Sequence, residues 1–148
     1  MTLCTLLLLL AGWTKAAQGQ FTLLSVSGSP AAFTVTTATA GLQPAALSNS
    51  ATTYFVKAKN PAGPQKITAQ LDSPMPTGTT LTISLVAPSG ATSLGAVSLD
   101  ATARDVVVNI DKENGSSYSI TYTFTATVAA GVVPSQSRTV TLTMSSYP

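Results

Sequence analysis

The side chains in this chain that could do chemistry are few, and their types decide most of what it can do. There is no histidine, and the one cysteine is Cys4. Nucleophilic catalysis at a serine needs a neighbouring base, which leaves only a lysine or a carboxylate. Beyond the first residues the cations are Lys57, Lys59, Lys66, Arg104, Lys112 and Arg138, and no lysine stands in a Ser-x-x-Lys spacing. Asp100, Asp105, Asp111 and Glu113 are the carboxylates from which an acid and base pair for glycosidic cleavage could be drawn. Their spacing does not set them apart from solvated loop charges. Asp111-Lys112-Glu113-Asn114-Gly115 is the most polar stretch and offers oxygens to Ca²⁺. It lacks the alternating acids of a helix-loop-helix calcium site, and Lys112 opposes a cation there. It reads as a hairpin loop closed by Asn114-Gly115. Asn114-Gly115-Ser116 also matches the acceptor for N-glycosylation. The expectation is a protein that is not an enzyme, with no catalytic residue, metal or cofactor.

Composition narrows the class further. Charged residues make up 8% of the chain, against roughly a quarter in ordinary soluble domains. The net charge is +2 and forms no basic run, so nucleic acid is not an expected partner. Low charge with many threonines suits surfaces that pack against copies of themselves or become glycosylated. Leu3 to Ala11 is an apolar run too short to span a bilayer but fitted to the hydrophobic region of a signal peptide. Small residues at Ala17 and Gly19 place cleavage after Gly19, with a cut after Ala17 as the second choice. An uncleaved N-terminal anchor is the alternative. Cys4 would leave with the leader, so no disulfide is expected despite an exported location. The expected organisation is a signal peptide over 1–19, an apolar strand and hinge over 20–30, and a β domain over 31–148. The mature chain would be extracellular or on the cell surface, without a membrane span.

The elements that position these residues are strands. Tyr118 to Val128 reads Tyr-Ser-Ile-Thr-Tyr-Thr-Phe-Thr-Ala-Thr-Val, with apolar residues on one face and small hydroxyls on the other. Similar patterns predict strands at Phe21 to Val26, Phe33 to Thr37, Thr53 to Ala58, Gln65 to Leu71 and Thr80 to Val86. Further along they predict Ala96 to Leu99, Asp105 to Ile110, Ser117 to Val128 and Ser137 to Met144. Gly, Pro, Asn and Ser cluster at the breaks, and no amphipathic helical stretch occurs; Leu42 to Leu47 contains Pro44 and is not read as a helix. Val106-Val107-Val108 does not alternate, which predicts cover on both faces. Tyr118, Tyr122 and Phe124 are read as core, and of the adjacent Tyr54 and Phe55 one must point away from the core. The fold expected is an Ig-like antiparallel β-sandwich of about seven to nine strands, of Greek-key type.

An N-terminal segment, Phe21 to Val26, that is apolar on both faces, uncharged and followed by a Ser27-Gly28-Ser29-Pro30 hinge can fold back or add to a neighbour's sheet. With the leader, the Thr-rich final strands Ser117 to Val128 and Arg138 to Met144, and the penultimate Tyr147, the chain resembles secreted bacterial pilin-like sandwiches of the chaperone-usher and spore-coat-U kind. In that family the N-terminal extension of one subunit completes the incomplete sandwich of the next. The resemblance implies that Phe21, Leu23 and Leu24, with Val26, are donor side chains, and that Val140, Leu142 and Met144 line the acceptor groove. It implies copies of the same chain as partners, a homopolymer, with a secretion chaperone as a further partner. A self-contained sandwich that uses Phe21 to Val26 as its own edge strand is the structural alternative. The functional alternative is a monomeric adhesion or carbohydrate-binding module displaying the loops Asn60 to Pro64 and Asp111 to Ser117.

Overall fold

The computed structural model describes residues 20–36, 42–59 and 61–148. The leader expected over 1–19, Cys4 and Thr37 lie outside them. Among the described residues nine strands form: β1 (Phe21–Ser27), β2 (Leu47–Lys59), β3 (Gln65–Leu71), β4 (Thr79–Leu85), β5 (Thr92–Ser93), β6 (Val97–Ser98), β7 (Arg104–Ile110), β8 (Glu113–Ala126) and β9 (Val140–Ser146). They pair antiparallel into a five-stranded sheet in the order β1-β2-β8-β4-β6 and a four-stranded sheet in the order β5-β7-β3-β9. The protein is an all-β sandwich, as the alternation requires.

The core is built from the inward positions of both sheets. Tyr54, Val56 and Ala58 of β2, Leu81, Ile83 and Leu85 of β4, and Ile120 and Tyr122 of β8 face Ile67, Ala69 and Leu71 of β3 and Val106, Val107 and Ile110 of β7. Each fully buried large side chain removes enough apolar surface to stabilise the fold by roughly 1.5–3 kcal/mol. Tyr54 points in and Phe55 out, and Tyr54 Oη donates to the Val86 carbonyl at 2.6 Å. Tyr118 and Phe124 lie partly buried against the same cluster.

All three valines of the Val106 to Val108 run are buried, and the cause is local. The β3 and β7 ladder shifts register twice, between Gln65 and Ile67 and between Ile67 and Thr68, so β7 carries extra residues opposite β3. Asn109 takes φ 58° beside the first shift. Each bulge resets which face the next side chain meets. Val108, also buried, pairs with Thr92 of β5.

Two expectations are corrected. Phe33 to Thr37 is not a strand over its described residues, 33–36. The edge it would pair with, the start of β2, is interrupted by a bulge between Asn49 and Thr52, and Asn49 Oδ1 accepts from Ala51 N at 3.0 Å. Phe33 instead stacks on Phe124 with ring centroids 6.0 Å apart. The stretch around Asn114-Gly115 is not a hairpin loop either. β7 belongs to one sheet and β8 to the other, and only residues 111–112 separate them. Asn114 and Gly115 lie inside β8, opposite a register shift between Val56 and Ala58, with Gly115 at φ 110°. The Asn-Gly pair that signals a hairpin turn here makes a bulge.

Two outcomes are expected from this core. Thr52 is 1% exposed and its Oγ1 has no hydrogen-bond partner. Thr52→Val should therefore raise the unfolding free energy by about 1 kcal/mol, the order of penalty for a buried unpaired hydroxyl. The readout is a higher urea midpoint at unchanged slope; a lower midpoint would show that the hydroxyl is satisfied. Burial, with the nearby Tyr118 and Glu113 adding to it, pushes the Tyr54 phenol well above its ordinary 10.0, and burial raises Tyr122 as well. The folded chain keeps these protons while the unfolded chain releases them above about pH 10. Stability is therefore whole below that pH and falls as the pH rises through the alkaline range. Urea midpoints at about pH 9 and about pH 11 check the sign, with tyrosinate absorbance of Tyr54 and Tyr122 rising only as the protein unfolds.

Candidate functional site: a strand-addition edge

β1 and β9 are the free edges on one side of the sandwich. Among the described residues β1 pairs with β2 alone, and β9 pairs with β3 alone. Each is seven residues long and contains neither a charge nor a proline. The opposite side ends in β5 and β6, which are two residues each. Short edge strands are poor templates for another chain, whereas long uncharged ones invite pairing. The side on which strands can be added is therefore that of β1 and β9.

The register decides where each expected interface residue points. Leu24 faces Val56 and Val26 faces Tyr54, so these two turn inward with the β2 core residues. Phe21 faces Lys59 and Leu23 faces Lys57, which places both on the outer face. The expected donor set is thus split: Leu24 and Val26 lie on the inner face of β1, and Phe21 and Leu23 on its outer face. Leu24 is half-buried, while Phe21, Leu23 and Val26 are 49%, 43% and 49% exposed. On β9, Val140, Leu142 and Met144 are half-buried and pack against the same core cluster as Leu24. β1 and β9 approach each other across the two sheets. Leu24 and Val26 thus form one lip of a partly open seam, and Val140, Leu142 and Met144 form the other. At its end near the N-terminus the seam opens into a groove of about 260 Å³ lined by Gln20, Thr22, Pro61, Ala62, Gln65 and Ser146. Tyr147 lies beyond β9, its N–H donating to the Pro64 carbonyl at 2.8 Å.

β1 is held by little besides its ladder. Six of its seven residues are exposed, and Leu24 is the one that reaches the core. Its exit is a turn at Gly28, with φ 84° and a Cα so close to β2 that a Cβ would stand 2.8 Å from the Ala51 carbonyl oxygen. From there to β2 the described residues, 28–36 and 42–46, form no strand. Residues 31–34 run beside Leu47 to Asn49 without a ladder, leaving a groove of about 300 Å³ between them.

The charged residues considered for chemistry are placed apart. Asp100 accepts from Arg104 at 2.6 Å and from Thr102 N at 2.7 Å, which lowers its pKa. Asp105 pairs with Lys66 at 3.0 Å on the outer face of the other sheet. Glu113 accepts from Gly115 N at 3.1 Å and from Tyr118 Oη at 2.9 Å; burial, and then this phenol–carboxylate bond, raise the Tyr118 pKa. Asn114 is exposed on β8. Among the described residues no group of three or more His, Cys, Asp or Glu is placed to hold a metal ion, and no helix is long and apolar enough to cross a membrane. Comparison with known protein families, curated proteins and solved structures finds no match.

Hydrogen exchange tests the weak attachment of β1. The β1 amides that bond to β2 are expected to exchange through a local opening well below the global unfolding free energy, while those of β3 follow global unfolding. Equal protection of β1 and β3 would show that β1 is locked into the fold.

Proposed function

We propose that this sandwich, read as one of the Ig-like kind, is a structural subunit of an extracellular filament, pilus or surface layer whose copies join by β-strand addition. The observation that carries this reading is β1: uncharged, apolar on both faces, exposed over six of seven residues, and tethered by a long connection. When β1 leaves its own β2, the edge from Thr53 to Lys59 and the inward Tyr54, Val56 and Ala58 are uncovered. The β1 of a second copy meets the same register and the same side chains there. Ladder hydrogen bonds would give the affinity, and Leu24 and Val26 in the seam would give the fit. The exchange is head-to-tail, so it propagates into a filament unless the rotation between copies closes a ring. The half-buried β9 residues Val140, Leu142 and Met144 complete the groove into which the strand settles. A chaperone that covers this edge before assembly is consistent with the reading.

A cysteine pair across the ladder distinguishes the two arrangements, because residues 20–148 contain no other cysteine. Ser27 and Thr53 face each other at the hinge end of β1. Ser27→Cys with Thr53→Cys, oxidised in assembled material, is expected to give a covalent ladder on a denaturing gel, one step per subunit. A single internally cross-linked monomer from the same filaments would exclude strand exchange. Leu24→Asp, which places a charge in the seam, is expected to abolish filaments seen by electron microscopy.

A further inference from the structure

The outer face of the five-stranded sheet separates two kinds of surface. Among its strands, charge occurs only at Lys57 and Lys59 of β2 and Glu113 of β8. Glu113 is turned to Tyr118 and Gly115, so the two lysines have no acidic partner among the described residues. Both lie on the outer face with Phe55, Phe21 and Leu23. Lys57 Nζ stands 5.7 Å from the centre of the Phe21 ring. On its other side Lys57 shares the bare Cα of Gly115 with Phe55: a Cβ there would lie 2.8 Å from Phe55 Cζ and 3.5 Å from Lys57 Cδ. The Phe55 ring thereby fills the space a side chain at Gly115 would take, and an aromatic, a cation and a second aromatic follow one another across β1 and β2.

The surroundings of this platform are hydroxyls. Ser25 and Ser117 face Phe55 from either side, and Ser119 lies next along β8. Beyond them Thr121 bonds Ser50 at 2.9 Å and Thr123 bonds Ser48 at 2.8 Å, continuing the array without charge. Each hydroxyl both donates and accepts. An apolar partner or an acyl chain laid over this face would leave such groups unpaired, at a cost for each. A polyol matches them, its ring C–H faces resting on the aromatic rings. The two unpartnered lysines select one that carries negative charge.

We propose that the outer face of β1 and β2, centred on Phe21, Phe55, Lys57 and Lys59, is a binding platform for an anionic polysaccharide. The site does not depend on how copies assemble. If β1 is exchanged, the incoming strand restores Phe21 and Leu23 in the same register over Lys57 and Lys59.

The test is binding of the purified protein to alginate, with neutral dextran and phosphatidylglycerol vesicles in parallel. Alginate binding that weakens as salt rises, and none to dextran, is expected. Lys57→Gln with Lys59→Gln should weaken it by at least about tenfold, as two charge-assisted contacts are lost. Phe21→Ser should weaken it severalfold through lost stacking. Lys66→Gln with Arg138→Gln removes equal charge away from this face and should leave affinity within about twofold. Thermal melts confirm that each variant is folded. Equal loss in the two double variants, equal binding to dextran, or binding to the vesicles but not to alginate would each overturn the proposal.

Discussion

The rest of the structure depends on a single constraint of connectivity: from β2 onward, every strand is followed by one in the other sheet. β2 leads to β3, β3 to β4, and the alternation continues through β9. From β2 onward no ladder forms between consecutive strands, and each joins segments separated by a crossing of the core. The inward residues of both sheets must therefore bury one another as the ladders form. Such long-range pairing makes folding slow for the chain length. The one pair of consecutive strands within a sheet, β1 and β2, is joined by the long stretch from Gly28 to Ala46. A strand with a single residue in the core, Leu24, is thus also the one on a long connection.

That constraint makes the two sides of the sandwich unequal. On one side the chain passes from β4 to β7 through β5 and β6, each giving two residues to a different sheet, with Ser93 Oγ donating to the Leu85 carbonyl at 2.6 Å to tie the layers together. On the other side two seven-residue strands end their sheets with unpaired backbone. Proteins usually blunt such edges with lysine, proline or a bulge. Here all the bulges fall on interior ladders, β2 with β8 and β3 with β7. A long edge without these devices is a liability in a monomer and an asset in an assembling subunit.

Much of this was legible in the residues. Gln65 to Leu71 alternates cleanly and forms a strand with those limits, because it pairs on both sides with its apolar set inward. Ser117 to Val128 was equally plain as far as Ala126, where β8 ends and Val128 to Ala130 form a single 3₁₀ turn instead of the expected strand end. The reading failed where a bulge breaks the period. Leu47 to Thr52 carries small polar residues and a register shift, so half of β2 gave no alternating signal. Asn114-Gly115 carries the chemistry of a tight turn, and nothing local says that the left-handed residue will be spent on a bulge inside a 14-residue strand. The expected interface set was half legible for a similar reason. Composition marks Phe21, Leu23, Leu24 and Val26 as apolar, but only pairing with β2 tells which of them face the core.

The division of β1 into two faces also accounts for an apparent conflict. A strand added in trans is expected to hide its apolar residues, yet Phe21 and Leu23 would remain on the surface in either arrangement, since the register with β2 fixes their direction. Burial in the seam therefore cannot be the reason for those two side chains. Lys57 lying over Phe21 gives them a partner that is itself cationic, and a cation on an aromatic face attracts anions without exposing a bare apolar surface. In a chain with so little charge, two lysines that meet no acidic partner among the described residues, beside two phenylalanines, are not explained by solubility. Assembly through the inner face would repeat this platform once per subunit, and repetition along a filament strengthens binding to a repeating polymer far beyond that of one site.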